Sequence, residues 1–147
     1  MKSLVILGTA RDDSNTMKAI LAFCPFKDYE LIDLRKYKIS HYRYDPSGNE
    51  NDDFLKIAMK MQVADNIIFA TPVYWYSMSG ILKIFFDRLT DLLSTHKHIG
   101  KSLKGKSTFL ISTGTDPTLP EGFETPFKRT SEYFDMQYQK SFYLVVS

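Results

Sequence analysis

Apolar positions fall along this chain in two kinds of run. Leu4-Val5-Ile6-Leu7, closed by Gly8, and Asn66-Ile67-Ile68-Phe69-Ala70 are nearly continuous, the pattern of strands buried on both faces. Elsewhere the spacing is helical. Met17, Ile20, Leu21 and Cys24 form one stripe, ended by Pro25, and Phe54, Ile57, Ala58 and Met61 form a second. Ile81, Leu82, Phe85, Leu89, Leu92 and Leu93 make the strongest amphipathic segment, and Phe123, Phe127, Phe134 and Tyr138 a further one. Tyr29 to Leu34 alternates imperfectly, as an edge strand does, and the polar stretch from Arg35 to Asn51 reads as a long loop. Thr108 to Ser112 and Phe142 to Val146 predict the last two strands. Strands alternating with helices predict one α/β domain over residues 1–147, a five-stranded parallel sheet with helices on both faces.

Composition narrows the class. With 147 residues, 44% of them apolar, the chain can bury a core without disulfides, and disorder is excluded. Lys and Arg total 19 against 17 for Asp and Glu, and a net charge of +2 is too small to suggest a nucleic-acid partner. The single cysteine, Cys24, excludes an internal disulfide and a Cys-rich zinc site; its place on an apolar stripe predicts an inert buried thiol. No run approaches the roughly 20 apolar residues of a membrane helix. The apolar run after Met1-Lys2-Ser3 is too short for a signal peptide, so a cytoplasmic protein without a membrane partner is expected.

Open parallel sheets bind ligands beyond the carboxyl ends of their strands, where strand order reverses. The loops placed there are Thr9 to Ser14, Arg35 to Asn51, Thr71 to Ser79 and Thr113 to Gly122. The run Gly100-Lys101-Ser102-Leu103-Lys104-Gly105-Lys106-Ser107 has the spacing of a phosphate-binding P-loop, but it follows a helix and opens a strand. It lies on the wrong edge, and a solvated basic turn is the reading adopted. Gly8-Thr9-Ala10-Arg11-Asp12-Asp13-Ser14-Asn15-Thr16 does leave a strand and enter a helix. Free helix N–H groups, short hydroxyl donors and the Arg11 fork suit a phosphate monoester there, although a plain helix cap at Ser14 or Asn15 explains the same residues. In Thr71-Pro72-Val73-Tyr74-Trp75-Tyr76-Ser77-Met78-Ser79-Gly80, three consecutive aromatics cannot share one face of a regular element. Some must project into a pocket, a partner or solvent, and a planar polar heterocycle suits such a loop. Thr113-Gly114-Thr115-Asp116 offers a third wall or an ordinary turn before Pro117. His41-Tyr42-Arg43-Tyr44 reads as a solvated stretch with anchoring tyrosines. His96 and His98 lack nearby Cys or carboxylate ligands, so no metal site is expected. The segment Tyr76-Ser77-Met78-Ser79-Gly80 lacks the first glycine of a nucleophile elbow, and no catalytic residue is assigned.

Together these three loops resemble the flavodoxin-like NAD(P)H-dependent FMN reductase family. Its first loop reads approximately G-S-x-R-x-x-S-x-T, with Thr9 here in the serine position. The aromatic loop, followed by Leu82-Lys83 and Phe86-Asp87-Arg88, looks like the family's flavin-ring loop and its helix. The resemblance implies a doubly wound sheet of order 2-1-3-4-5 and bound FMN, reduced by NADPH or NADH and oxidised by a small acceptor such as a quinone, azo compound or free flavin. By position, Thr9, Arg11, Ser14, Asn15 and Thr16 would hold the phosphate, and Pro72, Val73, Tyr74, Trp75, Tyr76 and Ser77 would line the isoalloxazine ring. Thr113, Gly114 and Thr115 would lie on its other side. The alternatives are a flavodoxin-type electron carrier, to which a charge of +2 is ill suited, and a scaffold that has lost its flavin. The family adds a helix after strand five, whereas this chain stops at Ser147, so the final helix is expected to be absent and a homodimer to cover the sheet.

Overall fold

The computed structural model describes residues 1–12, 14–49 and 51–147; Asp13 of the first loop and Glu50 of the long loop lie outside the described residues. The chain runs β1 (Ser3–Leu7), α1 (Asn15–Phe23), β2 (Glu30–Asp33), α2 (Phe54–Val63), β3 (Asn66–Pro72), α3 (Gly80–Arg88), α4 (Lys97–Ser102), β4 (Ser107–Gly114), α5 (Thr125–Tyr133) and β5 (Gln137–Val145). All neighbouring strands are parallel, in the order β2-β1-β3-β4-β5 expected from the family resemblance. The chain therefore reverses direction across the sheet after β2, and the switch point lies beyond the ends of β1 and β3.

The continuous apolar runs are explained by burial on two faces. Leu4 and Ile6 of β1, with Ile67 and Phe69 of β3, pack against Ile57 of α2, Phe85 of α3, Ile99 of α4 and Phe127 of α5. The alternate residues Val5, Leu7, Ile68 and Ala70 face the other way, against Ala19 and Ile20 of α1.

Three expectations need correction. Tyr138 belongs to β5 and not to the helix before it, because Phe134 caps α5 and Asp135 turns the chain at φ +59°. The Tyr138 hydroxyl still returns to that helix, donating to Glu124 Oε2 at 2.7 Å. On α1 the buried stripe is Thr16, Ala19 and Ile20; Leu21 is 71% exposed, and Cys24, outside the last turn, is half-buried. Burial still raises its thiol above the ordinary range, against a weaker opposing bond at Phe26. Finally, α3 ends at Arg88 and tightens into a 3₁₀ turn over Leu89–Leu93, which rotates Leu93 towards solvent.

The long loop after β2 opens with a 3₁₀ turn over Leu34–Lys36. A buried ion triad straps the rest of it to the helical layer. Arg88 pairs with Asp52, donates Nε to Asp91 Oδ2 at 3.0 Å and donates Nη1 to the Ser40 carbonyl at 2.9 Å. Asp52 also accepts from the N–H groups of Ser40 at 3.0 Å and Phe54 at 3.1 Å. Burial pushes the Asp52 carboxyl up, but the Arg88 guanidinium and these N–H groups outweigh it and hold the group below the usual carboxylate range. A folded pKa below the unfolded one makes this contribution fully present above about pH 3.9 and removes it as the pH falls through the folded value. Melting temperature should therefore drop below about pH 4, and less steeply in Asp52→Asn, which cannot titrate there; thermal melts across that range check it.

Candidate functional site

The three loops beyond β1, β3 and β4 are laced together at their roots. Thr9 is buried at the end of β1, and Gly8 N donates to Ala70 O at 2.9 Å. Ser14 is the N-cap of α1, its Oγ accepting from Met17 N at 3.0 Å. The capping role is thus real, and it leaves the Ser14 O–H and the first-turn N–H groups of Asn15 and Thr16 free of the helix ladder. Thr16 and Thr113 bring their hydroxyls to 3.0 Å in the interior, joining α1 to the end of β4. Val73 N donates to Thr113 O at 2.7 Å, joining the aromatic loop to the same point.

The aromatic loop is a tight turn after Pro72, the last residue of β3. Tyr74 N donates to Ser77 O at 2.9 Å and Ser77 N returns to Tyr74 O at 3.1 Å, with Trp75 at φ +50° and Tyr76 at φ +66° between them. Side chains larger than glycine adopt this region at a cost of order 1–3 kcal/mol each, so the surrounding bonds hold a strained turn. None of the three rings joins the core: Trp75 is 91% exposed, and Tyr74 and Tyr76 are also exposed. Between this turn and the β4 loop lies a small cavity of about 180 Å³, lined by Val73, Trp75, Tyr76, Thr115, Asp116 and Tyr143.

Several residues that shape this edge escaped the sequence reading. Ser79 caps α3 by accepting from Leu82 N at 3.2 Å, and its Oγ donates to Gly8 O at 2.7 Å. Thr71 Oγ1 in turn accepts from Ser79 N at 3.0 Å. The legible signal was a serine one residue before an apolar helical stripe. The same contact explains Gly8, where a Cβ would lie 2.7 Å from Leu82 Cβ. Gly114 serves a neighbour from β5: a Cβ there would sit 2.6 Å from the Tyr143 hydroxyl, which donates to Asp116 O at 2.8 Å.

Arg11 and the tyrosines of the long loop stand apart from this lacing. Arg11 is exposed, and Asp12 beside it pairs with Arg35 on the long loop. Tyr42 and Tyr44 pack edge to face at 5.3 Å and are not among the cavity's lining residues. The P-loop-like run is structural. A Cβ at Gly100 would lie 2.2 Å from Leu92 O, Gly105 turns at φ +86°, and Lys106 Nζ donates to the carbonyls of Gln62 and Ala64.

The strand order, with helices on the two faces, defines a flavodoxin-like fold whose switch point lies at this laced edge. The family model described as NADPH-dependent FMN reductase matches residues 1–119, and the chain belongs to that family. Its class is that of NAD(P)H-dependent FMN oxidoreductases. A Bacillus subtilis (strain 168) relative, YwqN, named as an NAD(P)H-dependent FMN-containing oxidoreductase, is 34% identical over 79% of this chain and 68% of its own length. An NADPH azoreductase of Bacillus sp. (strain OY1-2) is 29% identical over 67% of this chain, which spans 56% of that relative. Among solved structures, the Trp repressor binding protein of Bacillus subtilis superposes with a TM-score of 0.80 at 23% identity, over 99% of this chain and 85% of its own, a likeness of fold. None of these similarities favours the electron-carrier alternative.

Proposed function

We propose that this chain holds FMN across the laced edge and uses it to move electrons from NADH or NADPH to a small acceptor such as a quinone, an azo compound or free flavin. When bound, such a group supplies hydride acceptance and electron release. The phosphate is assigned to Thr9, Arg11, Ser14, Asn15 and Thr16. The single observation that carries the reading is the α1 start, where Ser14 caps the helix through its acceptor lone pair while, among the described residues, its O–H and the first-turn N–H groups stay available. That donor set, with the positive helix end behind it, fits a phosphate monoester. The ring is assigned to Pro72, Val73, Tyr74, Trp75, Tyr76 and Ser77, with Thr113, Gly114 and Thr115 opposite. The strained turn presents backbone groups and exposed aromatic faces on one rim, which suits a flat ring and a flat acceptor above it. Thr16 acts chiefly through its N–H and by fastening Thr113, since its hydroxyl already faces Thr113.

The same reading takes the protein as a cytoplasmic homodimer. Among the described residues no helix is long and apolar enough to cross a membrane, and a nicotinamide-dependent reductase works where that donor is kept reduced. On the α1 side of the sheet Phe109, Phe142 and Leu144 are half-buried, and Val145 at the edge is exposed, apolar surface that a second copy would cover. Light scattering of the purified protein should give twice the chain mass. Anaerobic mixing of the FMN-loaded protein with NADPH or NADH should bleach the flavin's visible absorbance, and a quinone should restore it. Failure of both donors to bleach a protein that has bound FMN removes the reductase assignment.

A further inference from the structure

The cavity between the aromatic turn and the β4 loop joins two further residues to those assigned to the flavin ring. Val73, Trp75, Tyr76 and Thr115 share its wall with Asp116 and Tyr143. Asp116 is the one charged residue among them, and no Lys or Arg lines the cavity. Its side chain is exposed and enters no ion pair among the described residues. The negative charge is therefore not neutralised locally, and the rings of Trp75 and Tyr76 on the same wall are open as well.

Both walls are held in place by their main chains. Tyr143 Oη donates to Asp116 O at 2.8 Å, and the absence of a Cβ at Gly114 makes room for that hydroxyl. Pro117 disfavours helical backbone at Asp116. Trp75 and Tyr76 are fixed by the paired bonds of the Tyr74–Ser77 turn. Burial raises the Tyr143 hydroxyl above its ordinary range, and the Asp116 charge raises it further, so carboxylate and phenol lie within electrostatic reach of one another. An open carboxylate beside open aromatic faces attracts cations on two counts. The ring faces carry the negative part of a quadrupole, and the carboxylate adds a Coulomb attraction that becomes repulsion for an anion.

We propose, on the reading of this edge as the flavin site, that Asp116 is a specificity-determining residue: it draws planar acceptors that carry a positive charge, such as quinones bearing a quaternary ammonium group, and turns away those bearing a sulfonate or phosphate. The quinone takes up two electrons and two protons to become a hydroquinone, while the nicotinamide gives up a hydride and solvent supplies the second proton. The charged substituent is untouched, so its effect is one of binding.

Trp75 is the chain's only tryptophan, and its emission reports on this cavity directly. Phenyltrimethylammonium and benzenesulfonate, single rings of opposite charge, are titrated into the purified protein with and without FMN. The cation should change the Trp75 emission saturably, with an affinity about tenfold or more above that of the sulfonate. Asp116→Asn should bring the two within about threefold. In the FMN-loaded protein, KM for a naphthoquinone carrying a trimethylammonium group should lie about tenfold or more below KM for the same quinone carrying a sulfonate. Asp116→Lys should reverse that order, and molar salt should narrow it. Equal affinities for the two probes, or a preference that survives unchanged in Asp116→Asn, overturn the proposal. Bleaching of the flavin by NADPH or NADH together with equal KM values overturns the charge preference alone. Absence of bleaching overturns the reductase reading, and the emission titration then decides the preference by itself.

Discussion

Replacing Arg88 by methionine is expected to cost about 3–5 kcal/mol of folding stability, among the largest losses available to a single change in this chain. The guanidinium is almost fully buried and neutralises two carboxylates that are themselves buried, while anchoring the Ser40 carbonyl. Removing it leaves Asp52 and Asp91 as uncompensated charges and releases the long loop from the helical layer. Burial disfavours the charged guanidinium, but its bonds to Asp52 and Asp91 prevail and its pKa is raised. Urea unfolding checks the magnitude. A second variant separates the causes: replacing Arg88, Asp52 and Asp91 together by apolar residues should be less damaging than Arg88→Met alone, because no orphaned charge remains. A loss below about 1 kcal/mol for Arg88→Met would mean that the triad is solvated in practice.

The second large effect concerns flavin affinity. Arg11→Ala and Ser14→Ala together should weaken FMN binding by roughly a hundredfold or more, since each removes a charge-assisted hydrogen bond of about 1.5–3 kcal/mol. Ser14→Ala also removes the cap of α1, worth about 1 kcal/mol, so affinity and stability would fall together and confuse the result. Ser14→Asp separates them. Its carboxylate can still accept from Met17 N and suits the positive helix end, yet it places a negative charge against the phosphate. Stability should hold while affinity falls. Quenching of FMN fluorescence on titration measures both variants. An Arg11/Ser14 double variant within threefold of the original affinity would move the phosphate away from this loop.

What could be read from the chain follows from where tertiary contacts leave a local trace. β1 and β3 were legible because both faces are buried and the apolar runs are therefore unbroken. The loop at the start of α1 was legible because a strand, short polar residues and a helical stripe follow one another within a few positions. The boundary between α5 and β5 was not, since Phe134 and Tyr138 keep helical spacing while the left-handed residue Asp135, which carries no glycine signal, ends the helix between them. The packing of Gly114 against Tyr143 was not legible either, because the side chain that needs the space comes from another strand. Asp52 and Arg88 were beyond reach for the same reason. Their partners are brought together by the packing of α2 and α3, and nothing within a short window of sequence distinguishes them from ordinary surface residues.

The strand order has a bearing on how the molecule forms. Ser3 pairs with Asn66, and β4 joins only outside β3, so β1 is an interior strand that emerges from the ribosome well before its second neighbour is made. Until β3 arrives, β1 has only the short strand β2 to pair with, and one of its hydrogen-bonding edges stays open. Closing long loops before any central pairing is rewarded slows folding and lengthens the interval in which an apolar edge can pair with a foreign chain. Refolding should therefore be slow for a domain of this size, and its yield should fall as protein concentration rises.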